Sequence, residues 1–217
     1  MVNDKRGLNR ERIARAAVEL MDDVGLDGLT TRSLAARLGV RSPTLYWHVR
    51  DKAALLDLVV EEICANAFEI DQTLSWTDQL VQGLQQFRAM LLAHRDAATL
   101  LRMRPPTGRH RLGHIETTLS ILLQAGFSED DAAGISRLLV AHVLSSVEVD
   151  PVVSGPDDAI PDWLVNVPAE LPNLKRVAPA IADLTGKRIF DLGVEIIIDG
   201  LSRRLAERND DASERGH

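Results

Sequence analysis

Only eight aromatic side chains are spread over this chain of 217 residues, and two of them, Tyr46 and Trp47, are adjacent, with His48 behind them. Neighbours on a helix point about 100° apart, so one core cannot take both rings. Thr44, Tyr46, Trp47 and His48 are offered outward, and contact with DNA is the expected use of such a surface. Groups for turnover are missing. The chain has no phosphate-cradling glycine loop, no Gly-x-Ser-x-Gly elbow and no paired acidic motif with an evident partner. Cys64 is the only cysteine, which excludes an internal disulfide and a cysteine zinc cage. His110 and His114 are four apart, a metal-ligand spacing on a helix. Pro105-Pro106, Gly108 and Gly113 crowd them and supporting ligands are absent, so the region reads as a solvated turn. We expect no catalytic residue, no metal, no cofactor and no enzyme.

A recognition surface needs a frame, and Leu29–Val49 has the spacing of one. Thr30 or Thr31 caps a helix that buries Leu34, Ala35 and Leu38 and stops at Gly39, which permits positive φ in a tight turn. Ser42-Pro43, a cap followed by proline at the first helical position, opens a second short helix ending near His48 or Val49. Ala35 is small where the two helices cross, and Val40 and Leu45 point inward. This is helix-turn-helix spacing, and a major groove about 12 Å wide accepts such a helix with its N-terminal residues against the bases.

The rest of the pattern is helical. One helix is expected from Asn9 to Gly25, and another is capped by Asp51 and runs toward Phe68. Others are expected at about Trp76–His94, Leu112–Gln124, Glu129–Val149 and Lys187–Arg208. Pro151–Pro179 carries six of the nine prolines. It reads as a long surface excursion with at most a short helix near Trp163, able to close over a site as an apolar flap. With no strand pattern, the fold class is all-α. The expected domains are a helix-turn-helix head over 1–52, a connecting helix over 53–70, a ligand-binding and dimerisation body over 71–208 and a disordered tail over 209–217.

Charge is split along the chain. The net charge is -7, yet residues 1–52 hold ten Lys and Arg against seven Asp and Glu, and the remainder holds 15 against 25. A basic module on an acidic body suits an anionic partner. No apolar stretch approaches the ~18 residues of a membrane span, and the charged N-terminus does not read as a signal peptide. A cytoplasmic protein is expected.

The residues also carry a resemblance. Leu8–Leu56 resembles the DNA-binding domain of the TetR family of bacterial repressors. The match rests on Thr-Thr-Arg at 30–32, Pro-Thr-Leu-Tyr-Trp-His-Val at 43–49 and Lys-Ala-Ala-Leu-Leu-Asp at 52–57. Weaker similarity runs through Trp76, Phe87, Arg95-Asp96, Ile115-Glu116-Thr117, Gly126-Phe127 and Glu148, and returns over Phe190–Gly200. The resemblance implies a homodimeric, ligand-responsive repressor on a palindromic double-stranded DNA operator, with no membrane partner. It puts Thr31 and Arg32 at the start of the first motif helix, with the Arg32 fork reading a guanine. Ser42, Pro43, Thr44, Tyr46, Trp47, His48 and Lys52 fall on positions that meet bases, thymine methyls or phosphates. Tetracycline-binding members place a glutamine where Ser42 stands, so a different operator is implied. Lys52 and Arg50 read equally well as solvated cations.

The same comparison implies a different effector. It would put a drug-contacting histidine at Phe68, an asparagine at Gly83, a metal-ligating histidine at Leu101 and a glutamine at Thr118, and none is present. Without an imidazole a magnesium–drug chelate loses its ligand. Phe68, Phe87, Leu101, Met103 and Thr118, with Glu148 for a polar group, instead imply a small, mostly apolar effector. The dimer is expected from the helices near Glu129–Val149 and Lys187–Arg208, with Phe190, Gly193, Ile197, Gly200, Leu201 and Leu205 along one face. A family activator and a helical small-molecule carrier without specific DNA binding are the alternatives. Only DNA binding falls linearly with the logarithm of salt.

Overall fold

The structure is a computed structural model that describes residues 8–65, 69–148 and 162–215. Every regular element among them is a helix, as the periodicity predicts. In order these are α1 (Arg10–Gly28), α2 (Thr31–Leu38), α3 (Ser42–Tyr46), α4 (Lys52–Cys64), α5 (Trp76–Leu92), α6 (Ala97–Met103), α7 (Arg109–Ala125), α8 (Glu129–Glu148), α9 (Asp162–Val165), α10 (Pro172–Ala182) and α11 (Gly186–Arg215). No described helix is long and apolar enough to cross a membrane. The chain divides into two compact units: the described residues of Met1–Gln72 with Gln82–Ser120, and those of Thr73–Val81 with Ile121–His217.

In the first unit α1 lies against α2 and α4, α2 against α3, and α4 against α6. Ile13, Ala17 and Met21 of α1 are buried with Leu34, Leu45, Val49, Leu55 and Val59. Gly25, expected to end the first helix, is a break inside it with φ 77. A Cβ there would stand 3.0 Å from Asp96 Oδ2, which accepts the Leu26 N–H at 2.8 Å. Asp22 accepts the Arg95 N–H at 3.0 Å and faces His94 Nδ1 at 3.0 Å. The end of α1 is thus fastened to the corner between α5 and α6, where Asp96 itself has φ 60.

Two carboxylates one turn apart hold α4. Asp57 receives the Arg104 fork, at 2.8 Å from Nε and 2.9 Å from the second nitrogen. Glu61 accepts the backbone N–H groups of His110 (3.0 Å) and Arg111 (3.2 Å). These are orphan donors of a helix start, so a side chain of α4 caps α7. A Cβ at Gly108 would fall 1.9 Å from the Glu61 carboxylate, so glycine is what admits that side chain. The cap explains why α7 begins at Arg109 rather than at Leu112. It also corrects the solvated turn: His110 and His114 both lie on α7, and the His110 ring stands 3.3 Å from Glu61.

In the second unit α8 and α11 pack along each other, burying Leu139 and Val143 against Phe190, Val194 and Leu201. The face expected to meet a partner therefore turns partly into this chain's own core. Gly193 makes room for His142, whose Cε1 lies 2.1 Å from where a Cβ would sit. A Cβ at Gly200 would meet no described neighbour within 4 Å. The large apolar side chains these two helices expose, among the described residues, are Leu138, Leu192 and Ile196.

Three other expectations change. α6 was not foreseen. In the proline-rich stretch, 149–161 lies outside the described residues and α9 matches the short helix near Trp163, but Pro172 opens a second helix, α10. Proline at the first helical position is a start signal as well as a loop signal. Last, α11 continues to Arg215 through residues read as a disordered tail. Its later turns are held to the start of α8, where Asp131 accepts from Arg204 (2.6 Å) and Arg208 (3.1 Å).

Candidate nucleic-acid interface

The head is built from local signals. Thr30 Oγ1 accepts the Ser33 N–H at 3.0 Å while the Thr30 N–H donates to Ser33 Oγ at 2.9 Å, a reciprocal cap that fixes where α2 starts. Gly39, at φ 66, ends α2, and the Val40 N–H returns to the Ala35 carbonyl at 3.0 Å. α3 then opens on Ser42-Pro43, and the Arg41 carbonyl accepts the Thr44 N–H at 2.9 Å. Leu45 is 1 % exposed and anchors α3 in the core together with Val49.

That anchoring decides what the opposite side offers. Trp47 is 89 % exposed and Tyr46 is 50 % exposed, with Pro43, Thr44 and His48 also on the surface. Thr31 Oγ1 and the Tyr46 hydroxyl stand 3.4 Å apart, which joins the start of α2 to α3. Ser42 is half-buried, and Lys52, the first residue of α4, is exposed beside Asp51, which caps that helix through the Ala54 N–H at 2.7 Å. Arg32 is exposed and makes no ion pair among the described residues. All nine residues predicted to meet DNA therefore reach the surface of α2, α3 and the start of α4.

The electrostatics of this surface are one-sided. Leu29–Arg50 contains four arginines and no Asp or Glu. Arg37 is drawn back to α1, 2.5 Å from Asp23 and 3.5 Å from Glu19; the Asp23 hydrogen bond above all raises its pKa. Arg50 stands 3.4 Å from Asp51. Arg41, exposed immediately before α3, is outside the predicted set; the acid-free run of sequence was the signal for it.

The residues expected to hold an effector are less uniform. Leu101 is buried, Phe87 and Thr118 are half-buried, and Met103 is 61 % exposed. The Thr118 hydroxyl donates to the His114 carbonyl of its own helix at 3.1 Å. Phe68 lies outside the described residues, and Glu148 is the last residue of α8. A cleft of about 510 Å³ opens elsewhere in the first unit, among Arg15, Val18, Glu62, Ile63, Met90 and His94, and Phe87, Leu101, Met103 and Thr118 are not among the described residues that line it. No group of three metal-ligating side chains occurs among the described residues.

Two family models match the chain, over separate stretches. Residues 13–59 match the bacterial regulatory proteins of the tetR family, and residues 71–205 match the tetracyclin repressor-like C-terminal domain. The chain is 36% identical over 214 residues to the tetracycline repressor protein class A from transposon 1721 of Escherichia coli, covering 96% of this chain and 98% of that one. It is 30% identical to an HTH-type transcriptional regulator of Saccharopolyspora erythraea, over 90% of this chain and 85% of that one. Among solved structures, apo ActR of Streptomyces coelicolor superposes with a TM-score of 0.84 at 32% identity, over 93% of this chain and 98% of that one. With an exposed helix-turn-helix surface and an all-helical body among its described residues, the chain belongs to the TetR family of bacterial transcriptional regulators, which are DNA-binding proteins rather than enzymes.

Proposed function

We propose that this regulator is a repressor that sits as a homodimer on a palindromic operator and is released by a small, mostly apolar effector. The observation that carries the reading is the exposed, acid-free face of α2 and α3, with Trp47 outermost and Leu45 holding the helix from beneath. In this reading Thr31, Arg32, Ser42, Pro43, Thr44, Tyr46, Trp47, His48 and Lys52 contact the operator in the cytoplasm. Two copies of α3 enter successive major grooves about 34–36 Å apart. The exposed Leu138, Leu192 and Ile196 of α8 and α11 support a two-fold contact between copies. An effector acts by favouring a dimer whose heads are misspaced, through displacement of α4, and not by covering the bases.

Ligand complexes of relatives support a small-molecule effector. ActR has been solved with (S)-DNPA and with actinorhodin, and a TetR variant of Acinetobacter baumannii with minocycline. Here Phe68, Phe87, Leu101, Met103 and Thr118 would receive the effector, with Glu148 for a polar group. Setting a charged chelate against phenylalanine and leucine leaves polar groups unmet at about 1–3 kcal/mol each. Apolar surface removed from water gains about 25 cal/mol per Å².

The test begins with DNA fragments selected from the source genome. Specific binding should weaken linearly with the logarithm of salt, whereas a carrier would show no DNA affinity. Bound operator is then challenged with a panel of hydrophobic compounds and with tetracycline, with and without magnesium. We expect release by a hydrophobic compound. Release by magnesium-tetracycline at low micromolar concentration, abolished by a chelator, would overturn the effector assignment.

A further inference from the structure

We infer that Arg41 is a specificity-determining residue, reading one guanine in each operator half-site beside the contacts already named; this rests on the DNA-binding reading above. Of the four arginines in Leu29–Arg50, Arg37 is held by Asp23 and Glu19 and Arg50 stands beside Asp51. Arg32 and Arg41 are exposed, with no ion pair or side-chain hydrogen bond among the described residues. No acid in the segment competes for either.

The backbone of Arg41 is fixed while its side chain is not. At φ -76 and ψ 143 its carbonyl accepts the Thr44 N–H, and its guanidinium takes no part in capping α3. It is therefore an exposed cation, anchored through its carbonyl, at the end of α3 that a groove-bound recognition helix turns toward base edges. The next residue, Ser42, is short, half-buried and poorly selective as a base reader. A guanidinium matches guanine O6 and N7 with two parallel hydrogen bonds, which a phosphate contact would not convert into sequence preference.

The experiment uses the full chain. Wild type is first used to select sites from a randomised duplex library. Wild type, Arg41→Ala and Arg41→Gln are then titrated against the selected site and its single base-pair variants at two salt concentrations. Because Arg41 is exposed and makes no cap bond, both variants should keep the wild-type melting temperature. Arg41→Ala should flatten the preference for one guanine per half-site by roughly ten- to a hundredfold and leave the other positions unchanged. Arg41→Gln should move the preference at that position toward adenine, whose N6 and N7 suit an amide. Equal weakening on every sequence, with a shallower salt slope, would make Arg41 a phosphate contact and overturn the inference. A selected motif that Arg41→Ala leaves intact would overturn it too, with DNA binding itself upheld. If wild type selects no motif, the DNA-binding reading falls and this inference with it.

Discussion

Replacing Gly193 by alanine should destabilise the protein, although alanine is the better helix former. Relief of the glycine penalty inside α11 contributes about 1 kcal/mol in favour of alanine. Against it, the new methyl would sit 2.1 Å from His142 Cε1 and 2.5 Å from its Nε2. The ring must turn away from where it stacks on Phe190, with centroids 5.9 Å apart and an interplanar angle of 9°. It also gives up the bond from Nε2 to the Phe190 carbonyl at 3.0 Å; since a carbonyl only accepts, Nε2 carries the proton. The bond is worth about 1 kcal/mol, the stacking about 0.5–1.5 and a strained rotamer about the same, so the net loss is roughly 1–3 kcal/mol. Urea unfolding at fixed protomer concentration measures it. With His142→Ala in the background, the same Gly193→Ala change should become stabilising by up to about 1 kcal/mol, a coupling of roughly 2–4 kcal/mol. Equal destabilisation in both backgrounds would refute the steric argument and return Gly193 to the role of a seat for a partner helix.

Arg32→Ala should weaken operator binding by about 1–3 kcal/mol and relax preference at one base pair per half-site; an equal loss on random DNA would reassign Arg32 to phosphate. Trp47→Ala should lower operator affinity about tenfold, the scale of a lost base-edge contact, yet change unfolding by no more than about 0.5 kcal/mol. A large loss of stability would place that ring in a core. Cys64 is 1 % exposed and burial, above all, pushes its thiol up to about 12. It should therefore resist thiol reagents at pH 8 until the protein unfolds, and prompt labelling of the native protein would contradict its position in α4.

The parts legible in the sequence are those settled by residues close to one another. The Thr30 cap, the Gly39 turn and the Ser42-Pro43 start each depend on four or five consecutive residues, and together they set α2 and the start of α3 within a residue of expectation; α3 ends at Tyr46, short of the expected His48 or Val49, and its cap position is Arg41 rather than Ser42, with no side-chain capping bond. Trp47 on the surface followed from the same register. The start of α7 was not legible because its cap is Glu61, far away on α4. The use of Gly193 was hidden for a similar reason: a helical glycine announces a close approach but not the side chain that makes it, and here that is His142. α6 follows a left-handed Asp96 held by Leu26 of α1, a conformation that no local pattern announces. α10 was lost because Pro172 was counted among the loop prolines, although its Ala178 side chain is buried.

The Glu61 carboxylate and a side chain at position 108 claim the same space. A relative that carries anything larger than glycine there cannot hold a glutamate in this pose, so the two positions should be inherited together. This sets a rule for transplanting reading heads between regulators. A graft that includes the whole of α4 brings a foreign residue 61 against the host's residue 108, and the junction works only when that pair is matched. A seam placed ahead of Asp57 keeps both the Arg104 fork and the α7 cap native, and leaves the contacts of Asp22 and Leu26 with Arg95 and Asp96 as the junction to be matched.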